Sequence, residues 1–226
     1  MFRLGSPYNA SSFDSKWGIG MERRTGVPGW AAGWTLTGAA IVALASALHP
    51  LTLDPWHADL PIRFIAERRT QWVWDHALMA VGIVLWLGGL AIGFGHEGRT
   101  RPLSFAAAAL SVCSIAMWLT ALSIELGGLP IAVDRIDAHE HAGTLAASLF
   151  ANGLLLGYFA MIPAWLAVAL GSGTTWGALS GALGIAGIVF TLFQPIAWVL
   201  ALTSALPFGW TILAAWRWRS YNKTNR

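Results

Sequence analysis

Charge is scarce in this sequence, and that scarcity decides the class of protein. Only 11% of its 226 residues are Asp, Glu, Lys or Arg, against about a quarter in ordinary soluble domains. From Ala142 to Trp216 none of these four residue types occurs. Such a stretch cannot supply a water-soluble surface, so lipid must be the solvent for much of the chain. The sequence therefore predicts an all-α integral membrane protein.

Several chemical signatures are also missing. The one cysteine, Cys113, excludes an internal disulfide and is expected to be a small packing residue. No Walker loop, dinucleotide-binding glycine fingerprint, Gly-x-Ser-x-Gly elbow, Cys-x-x-Cys or His-Glu-x-x-His motif occurs. The first apolar run is not preceded by a secretory signal. The net charge of +3 comes from basic residues that flank apolar runs, so no nucleic-acid partner is expected.

Long apolar runs predict six transmembrane helices. A helix needs about 20 apolar residues to cross the hydrocarbon core, and residues 29–48, 72–94, 103–126 and 142–170 each supply one helix. The run 175–218 is long enough for two, and Gln194-Pro195 is the best break because proline disfavours helical geometry in the residue before it. We expect helices at 175–194 and 196–218. A break within 204–209 would leave five spans.

The distribution of basic residues predicts the orientation. With six spans and a cytoplasmic N-terminus, only Arg63, Arg68, Arg69 and Arg135 of the Lys and Arg residues fall outside, which agrees with the preference of basic residues for the cytoplasm. The chain then divides into a cytoplasmic arm (1–28), a transmembrane domain (29–218) and a basic cytoplasmic tail (219–226). The cell's inner, cytoplasmic membrane is the expected location. Without a sizeable soluble domain, the chain is expected to work with other membrane subunits or as a homo-oligomer.

Aromatic and small residues mark the ends and the packing of these helices. Tryptophans at the ends of apolar runs, among them Trp72 and Trp74, are typical of an interfacial belt. Three pairs of glycines are spaced four residues apart, at 89/93, 153/157 and 177/181. Such pairs allow close contact between helices in lipid.

The polar residues gather on the predicted outer side. Five of the six histidines and eight of the eleven acids fall there. His76 lies about one turn inside the second span, Glu125 about one turn from the end of the third, and His141 at the start of the fourth. Ionisable groups at such depths are costly and usually face the bundle interior or water. The sequence therefore predicts a polar site among these helices.

Two cofactors suit this set of residues. Imidazole and carboxylate ligands suit zinc, copper or iron, and the candidate metal ligands are His49, His76, Glu125, His139 and His141. Asp75 is a candidate for an alternate or supporting ligand. A b-type haem held between His76 and His141 is the other possibility, since both histidines open helices on the same side. The chain would then be a metal- or haem-binding subunit of redox type.

Other functions need no cofactor. The same cluster could serve a small cation, proton or solute carrier, because histidine titrates near physiological pH. Interfacial histidines and acids also hydrogen-bond one another, cap helices and hold loops, so a structural accessory subunit is a further alternative. In that case Asp75 and Glu140 would stabilise the N-termini of the second and fourth helices.

Overall fold

The fold is known from a computed structural model that describes residues 27–49, 54–97 and 101–224, with side chains described as far as residue 220. All regular secondary structure in these ranges is helical. The helices are α1 (Gly29–Leu48), α2 (Asp59–Glu97), α3 (Pro102–Ser123), a π-helix (Ile124–Gly128), α4 (Leu129–Val133), α5 (Ala142–Gly171), α6 (Thr175–Phe193) and α7 (Ala197–Thr224). Most of the predicted N-terminal arm (residues 1–26) and the last two residues of the predicted tail lie outside the described residues.

Six helical segments within the described ranges are long and apolar enough to cross a membrane. Large apolar side chains such as Leu44, Phe105 and Val189 are exposed along them, as lipid contact requires. The break at Gln194 is confirmed: the residue has an extended backbone (φ −139°, ψ 94°) and separates α6 from α7. Because α7 is continuous through residues 204–209, the five-span alternative is wrong. The cytoplasmic position of the termini and the identity of the membrane stay predictions.

Two helical segments extend beyond the predicted spans. Helix α2 begins at Asp59, within the predicted first loop, and is interrupted by a kink at Arg68 (φ −136°, ψ 41°). The charged residues of this segment suggested a loop, but Ile65 packs inward with only 1% of its surface exposed. The third span likewise continues past residue 126 through the π-helix and α4 to Val133.

The predicted glycine contacts are of two kinds. Gly89 brings α2 against α1, since a Cβ at this position would lie 2.6 Å from the Ala31 carbonyl oxygen. Gly181 likewise faces the backbone of α5. At Gly153 and Gly157, by contrast, the space is taken by side chains of the neighbouring helical segment. Close backbone contact is thus confirmed at Gly89 and at Gly181, one glycine in each of two pairs. The 153/157 pair instead makes room for the side chains of Glu125 and Trp118.

A small apolar cluster covers one end of the bundle. It is separate from the main core and is formed by the start of α2, by α4 and by the start of α5. Its buried members are Ala58, Ile65, Trp72, Leu129, Ala132, Val133, Ala146 and Phe150. The helical extensions that the sequence did not predict therefore form a cap. The cap buries the side chains beneath it at this end of the bundle, which is hereafter called the capped end.

The buried polar side chains of the bundle are mostly satisfied. Trp86 Nε1 donates to Thr211 Oγ1 at 3.0 Å, and Ser114 Oγ donates to the Ala160 carbonyl oxygen at 2.7 Å. Such pairing is expected where no water is available. Cys113 is exposed on α3, so its predicted packing role was wrong.

Candidate metal centre

Three of the predicted ligands meet beneath the cap. His49 directly follows α1, His76 lies on α2 and Glu125 lies in the π-helix. The Nε2 atom of His76 is 3.3 Å from His49 Nε2 and 2.6 Å from Glu125 Oε2. The side chain of His76 is only 1% exposed and that of Glu125 only 12%. Two imidazoles and a carboxylate therefore converge in a water-poor interior.

The proton on His76 is fixed by its other ring nitrogen. His76 Nδ1 lies 2.8 Å from the carbonyl oxygen of Trp72. A carbonyl can only accept a hydrogen bond, so Nδ1 carries a proton and Nε2 presents a lone pair unless the ring is cationic. This is the arrangement found in metal-binding histidines, whose second nitrogen donates to a carbonyl or carboxylate.

Two groups lie within hydrogen-bonding distance of His76 Nε2, and a single proton cannot pair with both. Without a cation, a single proton shared with Glu125 accounts for the 2.6 Å contact. The His49 nitrogen at 3.3 Å then competes for the same Nε2 atom. A metal ion would replace that proton and accept lone pairs from both imidazoles.

Asp75 adds a second carboxylate to the group. The ligand atoms of His49, Asp75 and His76 all lie within 4.8 Å of one another. Asp75 is only 4% exposed, and neither of its carboxylate oxygens has a hydrogen-bond partner among the described residues. A buried carboxylate without donors is costly. The three residues form a group that could hold a metal ion.

The local backbone places the Glu125 side chain beside His76. Single π-turns within α-helices occur frequently at functional sites, and here the π-helix carries Glu125. The indole N–H of Trp72 donates to the Glu125 carbonyl oxygen at 2.9 Å. The missing side chain of Gly153 leaves room for the glutamate, since a Cβ there would lie 2.7 Å from Oε1.

Trp72 is a component of the site that the sequence did not predict. Its ring lies against His76, with centroids 4.1 Å apart and planes inclined by 31°, and within 5.3 Å of the His49 ring. Only 1% of its surface is exposed, so the interfacial position predicted for it was wrong. Trp74 is 65% exposed, as a belt residue should be. The spacing of four residues between Trp72 and His76 is the one sequence signal that places both on one helix face.

His139 and His141 lie elsewhere at the capped end. Both are exposed, in the turn that precedes α5, with His141 as the residue just before the helix. Neither belongs to the converging group of ligand atoms found among the described residues. The geometry thus gives no support to a haem held between His76 and His141.

Other charged groups at the capped end form exposed local pairs. Asp54 accepts from the Trp56 backbone N–H at 2.9 Å and contacts His57 Nδ1 at 2.6 Å. The Trp56 hydrogen bond, followed by the His57 interaction, lowers the pKa of the Asp54 carboxyl below its usual value. Arg69 pairs with Asp134, each about half exposed. These contacts hold the loops and leave the buried group as the candidate site.

Comparison of the chain with protein-family models, with curated proteins and with solved structures found no match. The geometry and the chemistry of the buried group therefore carry the functional argument.

Proposed function

We propose that this multi-pass membrane protein holds one divalent transition-metal ion at the capped end, with His49, His76 and Asp75 as ligands and Glu125 as the second carboxylate. The carrying observation is the convergence of two imidazoles on a buried carboxylate to which no described residue donates a hydrogen bond. A cation supplies what this carboxylate needs.

The separation of the imidazoles suits such an ion. Two nitrogens bound to a tetrahedral zinc at 2.0–2.1 Å are about 3.3–3.4 Å apart. His49 Nε2 and His76 Nε2 are 3.3 Å apart. The contact of His76 Nε2 with Glu125 Oε2, at 2.6 Å, is shorter than this separation and fits a hydrogen bond. On metal binding the shared proton leaves, and the glutamate must move back by about 0.7 Å to become a ligand.

Charge balance supports the two carboxylates. Burying an uncompensated divalent ion is prohibitive, and two carboxylates bring the net charge of the site to zero. Two nitrogens and two oxygens are ligands that zinc, copper and iron accept. We propose a redox role for the site, which copper or iron would supply. A zinc ion would instead act as a Lewis acid.

A resident ion is favoured over a transported one. The interior next to the site is lined mainly by apolar side chains, among them Met79, Ile83 and Leu154. A cation that left its ligands in this direction would meet few oxygen or nitrogen atoms to replace them.

Assembly with other membrane subunits, or as a homo-oligomer, stays a prediction that crosslinking in native membranes would test.

The test is metal analysis of the purified protein and its variants. Wild type should contain about one equivalent of a single transition metal per chain. His76→Ala, His49→Ala and Asp75→Asn should each lose it, because each removes a ligand. Since His76 is fully buried and its loss could impair folding, the half-buried His49 provides the second test. His57→Ala is the matched control, because His57 is exposed and pairs with Asp54.

Four results would contradict or change the proposal. Metal that is absent from wild type, or retained in both His49→Ala and His76→Ala, would contradict the ligand assignment. Loss of metal in His141→Ala or His139→Ala would extend the ligand set to the exposed histidines. A Soret band in the visible spectrum would favour haem over a lone ion.

A further inference from the structure

A cavity of about 430 Å³ continues from the metal centre into the bundle. His49, Trp72 and Glu125 line it near the capped end. Trp165 of α5 and Phe208 of α7 also line it. Volumes of this size are typical of pockets for small organic molecules.

Aromatic rings line the cavity beside Trp165 and Phe208. Trp86 contacts Trp165 at a centroid distance of 5.7 Å and Phe208 at 5.0 Å. Leu200, Ser204 and Phe208 are spaced four residues apart and so lie on one face of α7, which forms a wall. Such walls suit a flat, apolar molecule.

Two hydrogen-bonding groups that line the cavity, one on α5 and one on α7, have no partner among the described residues. Trp165 is only 3% exposed, and its Nε1 has no hydrogen-bond partner among the described residues; the same holds for the buried Ser204 Oγ. The neighbouring Trp86 differs, since its Nε1 donates to Thr211 at 3.0 Å. An indole N–H can only donate, and leaving it unpaired in a dry interior costs free energy. A molecule in the cavity with an acceptor oxygen would satisfy it.

We infer that the cavity binds a lipophilic ring compound with a carbonyl oxygen, which accepts hydrogen bonds from Trp165 Nε1 and Ser204 Oγ. The apolar body of the ligand lies among the aromatic side chains. This binding site goes beyond the proposed metal centre and does not depend on the metal.

A pair of ligands of matched shape tests the inference. α-Tetralone is a flat ring ketone, and tetralin is the same ring system without the oxygen. Binding of each to the detergent-solubilised protein is measured by equilibrium dialysis with chromatographic detection. The ratio of their affinities is compared between variants, so that partitioning into detergent cancels.

In wild type the ketone should be favoured. The ratio should fall about fivefold in Ser204→Ala or in Trp165→Phe, since each change removes one neutral hydrogen bond. Ser204→Ala removes one oxygen atom only, which keeps the test valid if Trp165→Phe does not fold. Trp176→Phe is the control, because Trp176 is 82% exposed and lies outside the cavity.

Two results would overturn the inference. One is a ratio that is unchanged in both cavity variants, which would mark the space as merely apolar. The other is ketone binding no greater than in protein-free detergent. Repeating the measurement on chelated protein and on Asp75→Asn, which changes a proposed metal ligand that is not among the residues lining the cavity, separates this inference from the metal proposal, since ketone binding should persist in both samples.

Discussion

Gly153→Ala is a conservative change that should weaken metal binding although it replaces none of the proposed ligands. The added methyl group would lie 2.7 Å from Glu125 Oε1 and 2.8 Å from its Cγ. Ordinary van der Waals contact begins near 3.4 Å, so the glutamate must shift by about 0.7 Å. A shift either compresses or breaks its 2.6 Å contact with His76. The added methyl group also takes up space beside the carboxylate, which must move back by about 0.7 Å to become a ligand, so it opposes metal binding.

The expected effect is large for one methyl group. Disturbing groups that position a metal ligand costs about 10- to 100-fold in affinity. Breaking the charge-assisted contact in the metal-free protein costs about 1.5–3 kcal/mol, partly offset by the better helix propensity of alanine, about 1 kcal/mol. Competition with a chelator of known affinity measures the metal affinity, and thermal unfolding measures the stability.

Gly143→Ala is the matched control, because it also lies on α5 and a Cβ there would meet nothing within 4 Å. Its metal affinity should equal that of wild type. If Gly153→Ala binds metal as tightly as Gly143→Ala, Glu125 does not contribute to the site and the reasoning fails.

Further predictions concern the groups around the site and the helix packing. Trp72→Phe keeps the ring beside His76 but leaves the Glu125 carbonyl oxygen without its donor, so unfolding should become easier by about 1–3 kcal/mol, as thermal unfolding would record. Ser114→Ala should cost about 0.6 kcal/mol because it breaks a bond between α3 and α5, whereas Ser111→Ala, which breaks a bond within α3, should cost less in a denaturant titration. Metal binding should release the proton that His76 and Glu125 share; titration calorimetry in buffers of different ionisation enthalpy would detect it, and equal heats would contradict it.

The membrane fold followed from the sequence because its cause is chemical and local. A run of about 20 apolar residues has few alternatives to a spanning helix, and Pro195 marked the one ambiguous boundary correctly. The cap was missed because its apolar residues are few and stand between charged ones, as at Arg63 and Glu67. Their burial depends on contacts between α2, α4 and α5, which no single segment reveals.

The site was predictable in part. His49, His76 and Glu125, whose side chains converge, were candidates because each is an ionisable group near the end of a span. His139 and His141 satisfied the same rule, but the turn before α5 leaves them exposed. Periodicity does not predict the π-helix that positions Glu125. It also does not predict that no described residue donates a hydrogen bond to Asp75, because that depends on tertiary packing.

The central claim is that His49 and His76 bind the same ion. X-ray absorption spectroscopy, recorded at the absorption edge of the metal found in the purified protein, tests it most directly. We predict two imidazole nitrogens at about 2.0–2.1 Å, if the ion is zinc, together with carboxylate oxygens. In His49→Ala one imidazole should disappear from the spectrum. A shell of oxygen or sulfur alone, or an unchanged imidazole count in that variant, would contradict the account.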